Sequence, residues 1–509
     1  MESDLHRFLF IEEIVVKGRE FFSTEGGMKM KHYKMYINGE WIEAQGQKSL
    51  EVINPATGEV LGTVPKGGKV EAESAIQAAH DAFSGWASLT AASRAAYLKK
   101  AYDLMVDHQD EIAQIMTLEQ GKPLAEAKGE VMYAASFMEW YAEEAKRIYG
   151  EMIPASKENK RIMVLRQPVG VTAAITPWNF PAAMVTRKLA PALAAGCTVI
   201  LKPASQTPLT AVKIFELLEM AGLPKGVVNL VTGSAGEVGN TLMEDPRVRK
   251  ITFTGSTEVG KVLIKQSADT VKRVSMELGG HAPLIVFDDA DIEQAVEGAA
   301  ASKLRNCGQV CIASNRFYVQ EGILEAFVEK LKLRLRDYKI GNGMEEGVLI
   351  GPMIDRRGFE KVESHIRDAV EKGAQIAAGG QGYHRADHED AGFFFEPTVL
   401  TGVKEHMAVM SEETFGPLIP IVAFKTEEEV LQAANDTPYG LAAYLFTQSL
   451  SRAFRVSEKL EYGIIGVNDG LPATAQAPFG GFKESGIGRE GGHYGIDAFL
   501  ETKYISIGI

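Results

Sequence analysis

The hydrophobic pattern divides the chain into stretches of different period. Over 70–120 the apolar positions, many of them alanine, recur at helical spacing, and Lys122-Pro123 interrupts the run. Helical spacing resumes over 125–148. A polar stretch follows, Ser156-Lys157-Glu158-Asn159-Lys160, flanked by Ile153 and by Ile162-Met163-Val164-Leu165. That pattern predicts a hairpin or extended arm. Four near-continuously apolar runs come next: Gly170-Val171-Thr172-Ala173-Ala174-Ile175, Cys197-Thr198-Val199-Ile200-Leu201, Val227-Val228-Asn229-Leu230-Val231 and Lys250-Ile251-Thr252-Phe253-Thr254. Each leads into a turn and then a helical stretch, which predicts parallel strands covered on both faces. A second series of this kind starts at Ala282-Pro283-Leu284-Ile285-Val286-Phe287 and ends near Gly466-Val467-Asn468. The fold class expected is α/β, in two halves with a cleft between them, where ligand sites are favoured.

Length and composition narrow the field. A chain of 509 residues is too long for one core, so two or three domains are expected. A formal net charge of −13, with no Lys/Arg-rich run, argues against nucleic acid as a partner. No apolar run reaches the ~18 residues of a membrane span. Near the N-terminus Glu12 and Glu13 break the run after Leu9-Phe10-Ile11, which argues against a signal peptide. Residues 1–30 look unlike the rest and read as an N-terminal extension. An early start codon would explain it, with Met28, Met30 or Met35 as the true start, and an intact mass from the native host tests this. Three cysteines, Cys197, Cys307 and Cys311, are no disulfide framework and suit a reducing, cytoplasmic compartment.

The loops carry the chemistry. Thr176-Pro177-Trp178-Asn179-Phe180-Pro181, Lys202-Pro203-Ala204-Ser205, Gly233-Ser234-Ala235-Gly236 and Gly255-Ser256-Thr257-Glu258 each follow one of the first four strand-like runs. Ligands of open α/β sheets sit at the carboxyl ends of the strands, and a Gly-Ser-Thr turn entering a helix offers free N–H groups to a phosphate. Any one of these loops is ordinary turn chemistry; four in register, one bearing a lysine, favour a dinucleotide. The motif is not Gly-x-Gly-x-x-Gly, and Gly341-Asn342-Gly343 follows a helical stretch and is discarded. Cys311, in Asn306-Cys307-Gly308-Gln309-Val310-Cys311, stands 34 residues after Glu277. A thiol can attack a carbonyl carbon and a carboxylate can later activate water to release the acyl group. His384 and His388, four apart in a Gly/Asp-rich stretch, read as a solvated loop rather than a metal site, and no metal is expected.

Together these segments resemble the aldehyde dehydrogenase superfamily from about residue 35 to the C-terminus. Pro177-Trp178-Asn179-Phe180-Pro181, Phe253-Thr254-Gly255-Ser256, Glu277-Leu278-Gly279-Gly280, Gly308-Gln309-x-Cys311, Glu412-Glu413-Thr414-Phe415-Gly416-Pro417 and Pro478-Phe479-Gly480-Gly481 stand in family order. The resemblance implies Cys311 as nucleophile, Glu277 as the base that activates water, and the Asn179 amide with the Cys311 N–H as oxyanion donors. It implies that Glu413 binds the nicotinamide ribose and that Phe415 packs beside the nicotinamide. Lys202 and Ser205 would meet the adenosine ribose and Ser256 the pyrophosphate. Thr176, Pro177, Trp178, Ala204, Gly233, Gly255 and Leu278 would line the cofactor path.

The implied architecture has a Rossmann-type cofactor domain over 31–152 and 169–277, a catalytic domain over 278–494, and an oligomerisation β-arm from 153–168 and 495–509. A homodimer or homotetramer would form through that arm. Within the superfamily, Arg187 and Arg305 match the arginines that hold the substrate carboxylate in succinate-semialdehyde dehydrogenases. Two guanidinium groups in an apolar funnel call for an anion. The branch commonly has serines in the loop before Pro478; here it reads Leu471-Pro472-Ala473-Thr474-Ala475-Gln476, with Thr474 as the candidate hydroxyl. Succinate semialdehyde leads as substrate, with glutarate semialdehyde and other ω-carboxy aldehydes as alternatives. Ser205 stands where the family often has Glu, which would repel a 2′-phosphate, so NADP is expected, alone or alongside NAD. Cys307 is expected to be a packing residue, since the position of a redox partner, two after the nucleophile, holds Ala313. An acyl-CoA-forming enzyme would not need Glu277, and an inactive relative would not need the Cys311, Glu277 and Asn179 set.

Overall fold

The computed structural model describes residues 31–509; the expected N-terminal extension lies outside them. The first four apolar runs form Val171–Ile175, Thr198–Lys202, Val228–Leu230 and Val248–Thr254. With Arg273–Glu277 they make five parallel strands at the centre of an eight-stranded sheet. The edges are antiparallel: Met35–Ile37 and Glu40–Ile42 close one side, and Gly486–Ile487 pairs with Arg273–Glu277 on the other. The strands Val171–Ile175 and Thr198–Lys202 are buried almost throughout, as strands covered on both faces must be. The long helical stretch divides into Lys69–Ala87, Ala91–Asp107 and Gln109–Gln120, and after Gly121 the helix Leu124–Glu144 begins.

The second sheet has seven strands, with Ala282–Val286 and Ser314–Gln320 near its centre and only Gln375–Ala378 antiparallel. The polar stretch after residue 155 joins Glu151–Ile153 to Lys160–Pro168, and Leu500–Gly508 pairs antiparallel along the whole of the latter. In this small sheet Glu151–Ile153 is an outer strand, with Met152 67% and Ile153 42% exposed. Among the described residues no helix is long and apolar enough to cross a membrane, and no group of three or more His, Cys, Asp or Glu side chains is placed to hold a metal. His384 ends the strand Gly382–His384 and stacks on Phe393 with ring centroids 4.5 Å apart.

Candidate active site

The Cys311 loop is shaped by local backbone strain. Asn306, Cys307 and Gly308 have φ of 50°, 56° and 75°, three consecutive left-handed residues after the helix Ile292–Leu304. For Asn and Cys that conformation costs on the order of 1–3 kcal/mol each and persists only where surrounding contacts enforce it. They do so here: Asn306 N donates to Glu126 at 2.8 Å, its amide donates to Asn179 O at 3.0 Å, and its Oδ1 accepts from Gln120 at 2.9 Å. Cys307 is buried, its sulfur 3.7 Å from Met353 Sδ, in keeping with a packing residue. Gly280 lies against the nucleophile loop so closely that a Cβ there would stand 2.3 Å from Cys311 O. The second glycine of Glu277-Leu278-Gly279-Gly280 therefore lets the two segments touch.

Cys311 is half-buried and lines two cavities. The first, about 240 Å³, is bounded by Pro177, Trp178, Asn179, Thr254, Gly255, Ser256, Leu278, Glu413 and Phe415, besides Cys311. These residues come from the carboxyl ends of parallel strands of the first sheet and from a loop of the second half. Ser256 caps the helix Thr257–Ser267, accepting from Val259 N, so free N–H groups and the positive end of the helix face this cleft. Trp178 and Phe415 meet edge to face at 5.7 Å. Glu413 accepts from Gly280 N at 3.0 Å, and burial, opposed by that bond, pushes its carboxyl up to about 7. A backbone cradle for phosphate, an aromatic wall and a carboxylate suited to a ribose together fit the nicotinamide end of a dinucleotide.

The residues expected at the adenosine end do not line this cleft. Lys202 is buried, its Nζ 3.1 Å from Pro203 O, and burial lowers it to about 8. Ser205 is exposed and donates to Gly233 O at 3.4 Å. It lines a different cavity, shared with Arg357 and with Glu51, Glu119, Asp355 and Asp390. Thr176 is buried at the end of its strand, and Ala204 is half-buried beside Ser205.

The second cavity holds both arginines. Arg187 and Arg305 line it with Tyr133, Phe180, Met184, Val310, Ile312, Ala473 and Phe479. One of the two guanidinium groups finds its anion within the protein. Arg187 Nη2 lies 3.0 Å from Glu490, which also takes a 2.6 Å hydrogen bond from Lys188, and the Arg187 guanidinium sits over Phe479 at 3.9 Å. Burial opposes the charge on Arg187, but Glu490 outweighs it and raises its pKa. Among the described residues Arg305 has no such partner: it lies over Phe180 at 5.1 Å, and its buried Nε has no hydrogen bond. Thr474 does not line the cavity. Its hydroxyl donates to Gln476 at 2.5 Å, two residues away, and Ala473 takes the place facing the cavity.

Glu277 ends the strand Arg273–Glu277, is buried, and neither carboxylate oxygen has a hydrogen-bond partner among the described residues. Gly480 packs on it; a Cβ there would be 3.0 Å from Glu277 Oε1. Burial, and then the charge of Glu490, hold its pKa well above the ordinary carboxylate value, with Arg187 and Lys188 opposing. For Glu490 the same burial is outweighed by Lys188 and Arg187, which hold it low. Of the two neighbouring acids, Glu490 is thus pushed toward the ionised form and Glu277 toward the protonated one. Burial also pushes the Cys311 thiol up to about 12, opposed by Arg187. Asn179 is buried, with its amide 3.0 Å from Gln309 O and its Oδ1 unpartnered among the described residues.

Sequence reasoning missed Tyr133, Glu490 and the apolar walls Phe180 and Phe479. Tyr133 sits at helical spacing with Phe137, as any core residue would, and its ring meets Phe137 edge to face at 5.0 Å. Its hydroxyl is buried without a hydrogen-bond partner among the described residues. Nothing local marks Glu490, because its partners lie 302 and 303 residues away (490−188 and 490−187).

A thiol shared by a dinucleotide-type cleft and an arginine-lined cavity suits an α/β oxidoreductase. The description "aldehyde dehydrogenase family" matches residues 41–505, and the chain belongs to that family. It is 56% identical over 480 residues to the glutarate-semialdehyde dehydrogenase of Pseudomonas aeruginosa, covering 94% of this chain and 98% of that one. It is 57% identical over 473 residues to the NADP-dependent succinate-semialdehyde dehydrogenase of Escherichia coli, covering 93% and 97%. The crystal structure of succinate-semialdehyde dehydrogenase from Burkholderia pseudomallei superimposes with a TM-score of 0.91 at 53% identity, covering 95% of this chain and all of that one.

Proposed function

We propose that the protein oxidises a small aldehyde bearing a distal carboxylate to the corresponding acid, with succinate semialdehyde as the leading substrate and NADP as the favoured acceptor. The single observation that carries this reading is the position of Cys311 on the wall between the two cavities. A substrate carboxylate held by Arg305, with Arg187 completing the cation pair, would place the aldehyde carbon at the sulfur. Cys311 Sγ attacks that carbon, and the Asn179 amide with the Cys311 N–H holds the oxyanion; one such donor contributes about 2.7–4 kcal/mol in comparable chemistry. Held against Glu413 and Phe415 in the first cavity, an oxidised nicotinamide would supply the acceptor for the hydride lost from the substrate carbon as the adduct becomes a thioester. Glu277 then takes a proton from water, which attacks the thioester and releases the acid and the thiol. Burial and a neighbouring anion give Glu277 a raised proton affinity, which suits a base.

Relatives named for both the C4 and the C5 semialdehyde stand at almost equal identity, so glutarate semialdehyde remains the second reading. Arg305→Leu is expected to raise KM for succinate semialdehyde on the order of 10²-fold, since truncating one partner of a desolvated charge pair costs about 2–5 kcal/mol. Turnover of an uncharged aldehyde of equal length should barely change. Tyr133→Phe is expected to give a smaller loss of the same sign, its hydroxyl being a neutral donor in that cavity. Equal losses on charged and uncharged aldehydes would reject the arginine cavity as the carboxylate site.

Support for NADP comes from the neutral, exposed Ser205 close in sequence to Lys202, and from the NADP-dependent relative. Ser205→Glu is expected to lower kcat/KM with NADP by about 10²-fold while sparing NAD, because a carboxylate would face the 2′-phosphate. Steady-state kinetics with both cofactors check this. The strands Lys160–Pro168 and Leu500–Gly508 support the assignment of 153–168 and 495–509 as an oligomerisation arm; the exposed apolar edge Glu151–Ile153 is of the kind covered by another subunit. On this reading 31–152 with 169–277 bind the cofactor and 278–494 form the catalytic domain.

A further inference from the structure

One helix reaches both halves of the reacting centre. Lys122 precedes the helix Leu124–Glu144, and Glu126 and Glu130 lie one turn apart on it. Lys122 is buried, ion-paired to Glu130, and donates to Asn179 O at 2.8 Å. Glu130 Oε1 accepts from Ala182 N at 2.9 Å and Ala183 N at 3.2 Å, on the far side of the same turn. The Asn179 turn is thus gripped at its carbonyl by the cation and at the following N–H groups by the anion. Glu126 accepts from Asn306 N at 2.8 Å, at the left-handed start of the Cys311 loop. Asn306 in turn donates to the same Asn179 O, and the Asn179 amide meets Gln309 O within the nucleophile loop.

Packing alone would not require this arrangement. A buried ion pair is seldom more stabilising than apolar residues of the same volume, so its retention calls for another reason. We propose that Lys122 and Glu130 are positioning residues that hold the Asn179 amide at the oxyanion position, with Glu126 holding the Cys311 loop in register from the same helix. An oxyanion donor acts only if it is in place before the charge develops, and a displacement of about 1 Å can cost on the order of 10²-fold in rate. This inference rests on the assignment of Asn179 as oxyanion donor.

A double-mutant cycle tests it. Glu130→Gln is isosteric but turns an amide toward Lys122 and removes the ion pair; Lys122→Met removes the donor to Asn179 O. Each is expected to lower kcat between about 10- and 100-fold, with KM for aldehyde and NADP near the parent values. In an Asn179→Ala background the same substitutions should change kcat by less than about twofold, because the group they position is gone. Alkylation of Cys311 by iodoacetamide should keep its rate in both variants and change in Glu126→Gln. Lys122→Arg keeps the charge and the fold and should recover only part of the rate, since a planar guanidinium cannot reproduce the ammonium's bonds. Equal fold-losses in the two backgrounds, or a lowered Tm with unchanged kcat, would overturn the positioning role. Full activity of Asn179→Ala by itself would instead overturn the oxyanion assignment.

Discussion

Replacing Cys311 with alanine is expected to abolish aldehyde-dependent NADPH formation, with a fall in kcat of at least ~10⁴-fold and cofactor binding retained. Loss of a nucleophile removes the covalent route entirely, and what remains is binding and the oxyanion donors, as in other enzymes that lose one member of a catalytic set. The sulfur lies on the wall of both cavities, and no other thiol does: Cys197 and Cys307 are buried elsewhere. The pH dependence of alkylation gives a second readout. Burial holds the Cys311 thiol near 12, so at neutral pH it is protonated in the cofactor-free protein. The alkylation rate should therefore keep rising with pH through the neutral range, because only the thiolate reacts. Undiminished turnover in Cys311→Ala would end the covalent mechanism.

Glu277→Gln should separate the two half-reactions. Acylation of Cys311 needs no water, so one equivalent of NADPH per site is expected to form as a burst. Hydrolysis should then slow by about 10²–10⁴-fold, the usual contribution of a general base. The acylated protein should persist long enough to be seen by intact mass. In the unmodified protein the acid limb of kcat should lie above the ordinary carboxylate range. The sign follows from the raised pKa: Glu277 works as the anion, the proton is held more tightly than in a free carboxyl, and activity falls as pH drops through that higher value. Steady turnover in Glu277→Gln equal to the parent would assign the base elsewhere.

Much of this was legible in the chain itself. Val171–Ile175 and Thr198–Lys202 announce themselves as unbroken apolar runs because both faces of their sheet are covered. Arg273–Glu277 does not, since Arg273 at its start is exposed and Ser275 and Glu277 interrupt its apolar pattern. Its membership in the sheet is fixed by pairing with Val248–Thr254 and with the distant Gly486–Ile487. Motif residues around Asn179, Glu277 and Cys311 carried local signatures, because tight turns and glycines at close approaches constrain sequence. The partners of those residues carried none. Glu130 and Tyr133 occupy helix positions that read as amphipathic spacing, and their contacts with the loops are set by how whole elements pack. Thr474 is a different case: its hydroxyl donates to Gln476, two residues on, a local contact that the spacing to Pro478 does not announce.

Glu490 follows the short strand Gly486–Ile487, close to the end of the chain, yet it faces Arg187, Lys188 and Glu277. During synthesis this carboxylate emerges after almost everything else it must neutralise. A polypeptide that lacks this carboxylate would still carry two buried cations, Arg187 and Lys188, without the anion that pairs with both. Truncation that removes Glu490 should therefore leave Arg187 and Lys188 without their shared anion even where the preceding strands have formed.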